Sequence, residues 1–234
     1  MNRYSINDKY SYCLGMSLTV EALKEKPQQL KEIFLSEKAV KNQQLDKLFD
    51  LAEKNNIKIT YDEKTIEKLS NKENCYCIGV FDKFYSDLSS NDHIVLYGFN
   101  DYGELGTVLR SAVSFDYKDI VLVDCDLDYF DPRCIRASMG SIFHCNIVCF
   151  DTLNDYLSKN KKQNVYPLVS NSDKYLSDLK LKSPYSLIIS QDYYGLDGKL
   201  SDGYSLEKNS DIEISLSIRS SILLAHAYHL KRSL

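Results

Sequence analysis

Residues 131–144 read DPRCIRASMGSIFH. Proline is well tolerated at the first position of a helix, so Pro132 predicts a helix over residues 133–143. Arg133 and Arg136 lie three residues apart and therefore share one face of that helix. The small residues that follow them permit close packing against a neighbour. Taken alone, the pattern indicates a packing helix with a solvated basic edge.

A second stretch, residues 101–110, reads DYGELGTVLR and predicts a loop leading into a helix over residues 103–115. Its glycines let the backbone turn tightly and approach a ligand. Exposed amides at a helix start attract anions such as phosphate. Arg110 adds a cation with fixed fork geometry. The alternative is that Arg110 is an ordinary surface ion-pair partner.

Strand and helix patterns alternate around these two stretches. Strands are predicted over residues 93–97, 120–123, 147–150, 165–169 and 185–189, and further helices over 153–157, 172–179 and 217–231. Strands joined by helices imply a parallel sheet covered on both faces. Ligands of such sheets bind beyond the carboxyl ends of the strands. The first candidates for a site are therefore the loops at residues 100–104, 124–132, 169–171 and 190–203.

The sequence pattern of the N-terminal part of the chain predicts a separate α/β unit of about ninety residues, which is within the usual size of a domain. Helices are expected over residues 16–26, 43–55 and 63–69, the last capped by Asp62, with strands over residues 32–36, 57–60 and 76–81. Residues 85–92 are polar and turn-forming, which is typical of a linker. We therefore expect two domains, over residues 1–88 and 89–234.

Composition is that of an ordinary globular protein, with 44% hydrophobic and 26% charged residues among 234. A net charge of −4 argues against strong non-specific RNA binding by one subunit, although a local basic patch remains compatible with it. No apolar run is long enough to cross a membrane, and the first eight residues lack an apolar signal core, so a cytoplasmic location is expected. The seven scattered cysteines favour reduced core residues over a zinc or redox site.

Three stretches together resemble one protein family. Residues 105–110, LGTVLR, followed in register by residues 131–132, DP, and 136–144, RASMGSIFH, resemble the first two motifs of the SpoU/TrmH RNA ribose methyltransferases. Residues 72–81, KENCYCIGVF, resemble the strand that closes the substrate-binding domain of one bacterial branch. The resemblance extends over nearly the whole chain after about Tyr10.

This resemblance implies an α/β fold with an N-terminal α/β/α substrate-binding domain, similar to a ribosomal protein, and a C-terminal parallel-sheet SPOUT domain with a deep trefoil knot. It implies a homodimer formed through the knot region and S-adenosylmethionine bound there, without a metal. The implied reaction moves a methyl group to a ribose 2′-hydroxyl of tRNA or rRNA. Arg110 matches the arginine that helps to activate this poor nucleophile.

The chain also departs from the family's motifs. Glu104 stands where the first motif has asparagine. The third motif, GNEGxGL, corresponds to SQDYYGL at residues 190–196, so Ser190 and Tyr193 replace glycines. The SLN that opens the last helix becomes EIS at residues 213–215, which places a carboxylate, Glu213, where a small hydroxyl is usual.

Residue-by-residue matching assigns a catalytic group, a cofactor-binding group and an RNA-binding group. The catalytic residues are Arg110, Glu104 and Ser215; the cofactor-binding residues are Leu168, Ser190, Gln191, Asp192, Gly195, Leu196 and Ile214; and the RNA-binding residues are Arg110, Arg133 and Arg136.

Two functions of different class follow from these matches and departures. The first is an active 2′-O-ribose methyltransferase that tolerates a remodelled cofactor loop. The second is a catalytically inactive relative that uses the same fold to bind RNA or protein. The two intact motifs favour the first function, and the altered third motif favours the second.

Overall fold

The computed structural model describes residues 3–70, 74–170, 172–191, 200, 202–210 and 212–232. The chain divides into two compact units. The first unit comprises Met1–Phe84 together with Asp128–His144, and the second comprises Tyr85–Leu127 together with Cys145–Leu234. The sequence-based division at residues 88/89 treats residues 128–144 as part of the second domain, whereas their packing groups them with the first unit.

The first unit is a mixed four-stranded sheet with helices. The elements are β1 Tyr10–Leu14, α1 Met16–Glu25, β2 Leu30–Leu35, α2 Gln43–Lys54, β3 Lys58–Tyr61, α3 Glu63–Leu69 and β4 Cys77–Asp82. Strand order is β1-β4-β2-β3; β4 runs antiparallel to β1 and β2, and β3 is parallel to β2. The predicted N-cap of α3 is confirmed, because Asp62 Oδ1 accepts a hydrogen bond from Thr65 N at 3.0 Å.

Strand β1 was not predicted from the sequence. Its central residues, including Ser11, are fully buried, so the alternation of polar and apolar residues that marks a half-exposed strand is missing. The buried Ser11 hydroxyl is satisfied by donating to the Phe130 carbonyl. This strand therefore depends on a partner more than a hundred residues away in the chain.

An aromatic cluster anchors residues 128–144 in the first unit. Phe81, Phe84, Phe130 and Phe143 pack with ring centroids between 5.1 and 6.5 Å apart. Beside the rings, Lys83 Nζ lies 2.7 Å from Asp128 Oδ2, and the two side chains are 6% and 11% exposed. The segment is thus held by both apolar burial and an ion pair shielded from solvent.

The helix predicted over residues 133–143 is wrong in its second half. Helix α5 spans only Pro132–Ala137, and a 3₁₀ turn follows at Ser141–His144. Between them Met139 and Gly140 have φ angles of 52° and 83°, which end an α-helix. A Cβ added at Gly140 would come within 3.2 Å of Glu21 Cβ on α1, so the small residue permits this close approach.

The second unit contains the predicted parallel sheet. The elements are β5 His93–Tyr97, α4 Tyr102–Ser114, β6 Asp119–Val123, β7 Asn146–Phe150, α6 Leu153–Lys159, β8 Asn164–Pro167, β9 Tyr185–Ser190 and α7 Leu216–Arg232. The five strands lie in the order β7-β6-β5-β9-β8, and every neighbouring pair is parallel. The predicted last helix, α7, is confirmed within one residue at each end.

The helix predicted over residues 172–179 is also wrong, since the structure has only a 3₁₀ turn at Leu176–Asp178. The backbone there is engaged elsewhere. Ser205 N donates to Lys174 O at 2.9 Å, and Leu176 N donates to Ser205 O at 3.0 Å. These hydrogen bonds to a distant segment replace those that a helix would need.

Along the described residues, no helix is both long and apolar enough to span a lipid bilayer.

Cys13 and Cys77 are buried in the first unit, and burial raises the pKa of Cys77 to about 12. That thiol therefore stays protonated and packs as a small apolar group.

The Asp128–Lys83 pair gives a test of the anchoring of residues 128–144. Asp128→Ala should lower the free energy of unfolding by roughly 3 kcal/mol, because it leaves the buried Lys83 ammonium without its partner. Asp82→Ala is the matched control. It removes the exposed pair with Lys31 and should cost less than about 1 kcal/mol. Urea unfolding measures both, and equal losses in the two variants would contradict the anchoring role.

Candidate functional site

The carboxyl ends of β5 and β9 lie side by side in the second unit. Tyr97 and Ser190 are register partners, and Gln191 N continues the ladder by donating to Tyr97 O at 2.9 Å. Gly98 follows β5 with a φ of 69°, and a Cβ added there would lie 4.0 Å from Gln191 Cβ. The loop that leads into α4 therefore starts directly beside the end of β9.

Asp101 sets the start of α4. Its Oδ1 accepts a hydrogen bond from Glu104 N at 2.8 Å, which caps the helix and satisfies an otherwise unpaired amide. The side chain of Glu104 is then directed to Gln191, whose Nε2 donates to Glu104 Oε2 at 3.1 Å. Two predicted site residues, 87 positions apart in the chain, are thus in contact.

Gln191 also presents a hydrogen-bond acceptor with no partner. Because Nε2 faces the Glu104 carboxylate, Oε1 points elsewhere, and it is shielded from solvent without a donor among the described residues. Buried acceptors are usually paired, so an unpaired one needs an explanation. A donor on a bound molecule would satisfy it.

Arg219 belongs to the site although the sequence analysis did not identify it. Its side chain reaches from α7 to the end of β9, where Nη2 donates to the carbonyls of Ser190 at 2.6 Å and Gln191 at 2.9 Å. Arg219 is 5% exposed. A charged residue between the inward-facing Leu216 and Leu223 was the available signal, because buried cations are rare unless they are paired.

Leu168 and Ser190 lie at the ends of neighbouring strands. Leu168 N donates to Ile188 O at 2.9 Å, and Leu168 pairs with Tyr204 in an isolated bridge. Leu168 and Ser190 are 1% and 2% exposed, so they offer backbone more than side chain to a ligand. The structure therefore brings Leu168, Ser190 and Gln191 to one edge of the sheet.

The two site residues in front of α7 are less enclosed. Ser215 is exposed, and its carbonyl accepts hydrogen bonds from Ile218 N at 3.1 Å and Arg219 N at 3.0 Å, so it starts the helix. Ile214 is half-buried. Among the described residues, no hydrogen bond or ion pair joins either side chain to Glu104 or Gln191.

Arg110 is exposed on α4, and no described residue offers its guanidinium a hydrogen bond or an ion pair. It lies six positions after Glu104, so the two side chains point about 120° apart around the helix axis. The structure therefore does not bring Arg110 into the Glu104–Gln191 contact. Instead it leaves a free cation on the outer face of the same helix.

The other two predicted RNA-binding arginines are in the first unit. Arg133 donates from Nε and Nη2 to both carboxylate oxygens of Asp131, at 2.9 and 2.8 Å, although 65% of its side chain is exposed. Arg136 is exposed. Asp131 therefore partly neutralises one of these two charges, and RNA binding by either residue stays a prediction.

Cys125, in the loop after β6, is half-buried. Burial raises the pKa of its thiol, and Sγ donates to Phe99 O at 3.3 Å.

The remaining predicted cofactor residues, Asp192, Gly195 and Leu196, lie outside the described residues. The described site is thus a backbone-lined edge with one carboxylate and one unpaired amide oxygen.

Comparisons with known proteins agree with this fold. The model of the SpoU rRNA methylase family matches residues 91–220, and the model for RNA 2′-O ribose methyltransferase substrate binding matches residues 13–74. The chain therefore belongs to the SpoU rRNA methylase family. Among curated proteins, a sequence comparison finds no relative.

Several solved structures are similar to this chain over nearly its whole length. An RNA 2′-O ribose methyltransferase aligns with a TM-score of 0.77 and 15% identity, over 96% of this chain and 90% of its own. The rRNA methyltransferase from Sinorhizobium meliloti aligns with a TM-score of 0.75 and 20% identity, over 97% of this chain and 88% of its own. AviRb from Streptomyces viridochromogenes, solved with AdoMet, aligns with a TM-score of 0.78 and 13% identity, over 96% of this chain and 91% of its own. At these identities the similarity shows the fold.

The role of Arg219 can be tested by substitution. Arg219→Met should lower the free energy of unfolding by about 2 kcal/mol, because two buried carbonyls lose a charged donor. The control is Arg232→Met at the exposed end of α7, which should change stability by less than about 0.5 kcal/mol. Unfolding in urea gives both values. An unchanged midpoint for Arg219→Met would show that its hydrogen bonds do not hold the end of β9.

Proposed function

We propose that this protein is a 2′-O-ribose methyltransferase that uses S-adenosylmethionine and acts on tRNA or rRNA. Membership of the SpoU rRNA methylase family supports this function, and so does the similarity of the fold to methyltransferases of RNA. The observation that carries the proposal is the contact between Glu104 and Gln191, because it joins the positions of the first and third motifs at one edge of the sheet.

The described residues fit a cofactor at this edge. The unpaired Gln191 Oε1 is a buried acceptor suited to an amino or hydroxyl group of an adenosine moiety. Arg219 holds the carbonyls of Ser190 and Gln191, so the backbone there is pre-organised. We infer that the cofactor is held by Leu168, Ser190, Gln191, Asp192, Gly195, Leu196 and Ile214. When bound, S-adenosylmethionine supplies an electrophilic methyl group.

Arg110 is assigned to the ribose. The 2′-hydroxyl is a poor nucleophile, and a nearby guanidinium stabilises the negative charge that develops on its oxygen during attack. The free, exposed position of Arg110 suits a group that meets a substrate arriving from outside. Glu104 and Ser215 are the proposed polar partners near the reacting groups. Arg133 and Arg136 are proposed to contact the RNA backbone.

A homodimer is part of this proposal. Ile218 and Ile222 lie one turn apart on α7 and are 55% and 40% exposed, which forms an apolar stripe suited to an interface. Ser221 on the same helix hydrogen-bonds to Ser111 on α4 at 2.9 Å, so the stripe and the helix of Arg110 are joined. We propose that α7 forms the interface, beside a trefoil knot formed where Gly203–Ser205 passes along residues 167–175.

Two further assignments rest on the same family membership. We propose that residues 1–88 bind the RNA substrate and that residues 89–234 form the methyltransferase domain. We also propose that the protein works in the cytoplasm, where its RNA substrates are found. The inactive-scaffold alternative gains no support from the fold comparisons.

Arg110→Ala should reduce methyl transfer to RNA by about 100-fold or more, since it removes charge stabilisation from the transition state. Its unfolding midpoint and oligomeric state should not change, because the Arg110 guanidinium forms no hydrogen bond or ion pair with a described residue. Incorporation of labelled methyl groups into bulk tRNA and rRNA measures the activity. Arg232→Ala serves as the control for loss of an exposed cation. Unchanged turnover in Arg110→Ala would refute the assigned role.

Calorimetric titration separates the enzyme from an inactive scaffold. S-adenosylmethionine should bind the wild-type protein with a dissociation constant below about 1 mM. Gln191→Ala should weaken binding by about tenfold, since a buried hydrogen bond is lost, whereas Gln28→Ala, at an exposed position in the first unit, should have no effect. Absence of binding heat at millimolar cofactor would contradict the proposed function.

A further inference from the structure

A cavity lies near the amino ends of β5 and β9, at the edge of the parallel sheet opposite the candidate functional site. Its volume is about 440 Å³, and its lining includes His93, Ser158, Gln163 and three lysines, Lys159, Lys161 and Lys162. Strands β5 and β9 are five and six residues long, so the cavity is separated from the carboxyl edge by roughly 17 Å. It is therefore distinct from the cofactor site.

The charge of this cavity is unusual for the chain. Three lysines are among its lining residues, and none of the lining residues within the part of the chain that the structure describes is acidic. None of the three lysines forms an ion pair with a described residue. The whole chain carries a net charge of −4. The cavity thus reverses the average charge locally and attracts anions.

Structural roles account for only one of these lysines. Lys159 is in the last turn of α6, where the helix dipole favours a cation, and its Nζ lies 5.2 Å from the centre of the Phe150 ring. Lys161 and Lys162 follow the helix and are exposed. Neither makes such a contact with a described residue, so their two charges have no structural explanation.

The floor of the cavity is rigid, and the adjoining Asp119 carboxylate is engaged by hydrogen bonds from Ser89 N and Oγ. His93, 1% exposed, is held between Tyr156 Oη at 2.9 Å and the Ser89 carbonyl at 3.0 Å. Burial raises the pKa of Tyr156 to about 12, so its hydroxyl adds no negative charge. Asn160 caps α6, and Gln163 N donates to Asn160 O at 3.0 Å, which fixes the turn that carries Lys161 and Lys162. The two lysines therefore project from a pinned turn.

We propose that this cavity binds phosphate groups of the RNA backbone. Its volume admits one phosphodiester with its ribose, and lysines are point-charge ligands for phosphate. This inference rests on the proposed function. Because an RNA methyltransferase binds RNA, RNA is the favoured source of the phosphate. At its distance from the carboxyl edge, the cavity contributes to RNA affinity and its salt dependence, and it leaves the chemical step to Arg110.

The test compares the double variant Lys161→Ala/Lys162→Ala with Lys180→Ala/Lys208→Ala. The control removes the same charge from two exposed lysines that lie outside residues 1–88 and do not line the cavity. Binding of fluorescein-labelled bulk tRNA is measured from low to high salt. For the cavity variant, the dissociation constant should rise about tenfold at 0.1 M salt, and the slope of log K against log salt should fall by about 1.4. The control should match the wild type.

Further arms make the outcome decisive. Lys161→Arg/Lys162→Arg keeps both charges and should retain most of the tRNA affinity. Turnover at saturating tRNA should not change in the cavity variant. An unchanged salt slope in the cavity variant overturns the proposal while leaving methyl transfer intact. Binding of pyrophosphate that is lost in this variant, with tRNA affinity unchanged, would instead show a site for a free phosphate ligand. Failure of the proposed function would appear separately, as wild-type protein without cofactor binding.

Discussion

The candidate site depends on the register of one strand. Strand β5 is fully buried and is hydrogen-bonded along its length to β6 on one side and to β9 on the other. Because these ladders are parallel and in register, Tyr97, Val123 and Ser190 end at the same edge. A slip of one residue would turn every buried side chain of β5 to the opposite face. The sheet therefore positions Gly98 and Gln191 before any side chain of the site is considered.

Two departures from the family's motifs lie against each other at this edge. Glu104 stands at an asparagine position of the first motif, and Gln191 corresponds to an asparagine of the third. Their contact, at 3.1 Å, pairs a carboxylate with a longer amide. Arg219 adds a cation that grips the backbone beside them. The substituted residues at these two positions are thus joined by a hydrogen bond.

Strong local patterns made most of the second unit predictable. His93–Tyr97 is an apolar run buried on both faces, and its bounds in the structure equal those expected from the sequence. Local patterns failed where distant segments decide the backbone. Met139 and Gly140 leave the helical region beside α1, and Lys174 pairs with Ser205 rather than continuing a helix.

The same limit applies to the site. Motif matching identified Glu104 and Gln191 but not their contact, because the ladder between β5 and β9 brings them together. Arg219 lies outside the matched motifs, and its role depends on carbonyls at the end of another element. The net charge left a local basic patch possible but could not locate one. Lys159, Lys161 and Lys162 are outnumbered by acidic residues along the chain and come together only in the lining of one cavity.

The aromatic cluster of the first unit has a consequence for how the protein is made. Phe81 and Phe84 pack against Phe130 and Phe143, and Ser11 needs the Phe130 carbonyl. A ribosome releases these residues from N- to C-terminus, so the nascent substrate-binding region emerges with part of its interior uncovered. That interior can close only after the first two strands of the following sheet have been synthesised. Autonomous folding of the leading segment is thereby delayed, and a chaperone has a defined window in which to bind it.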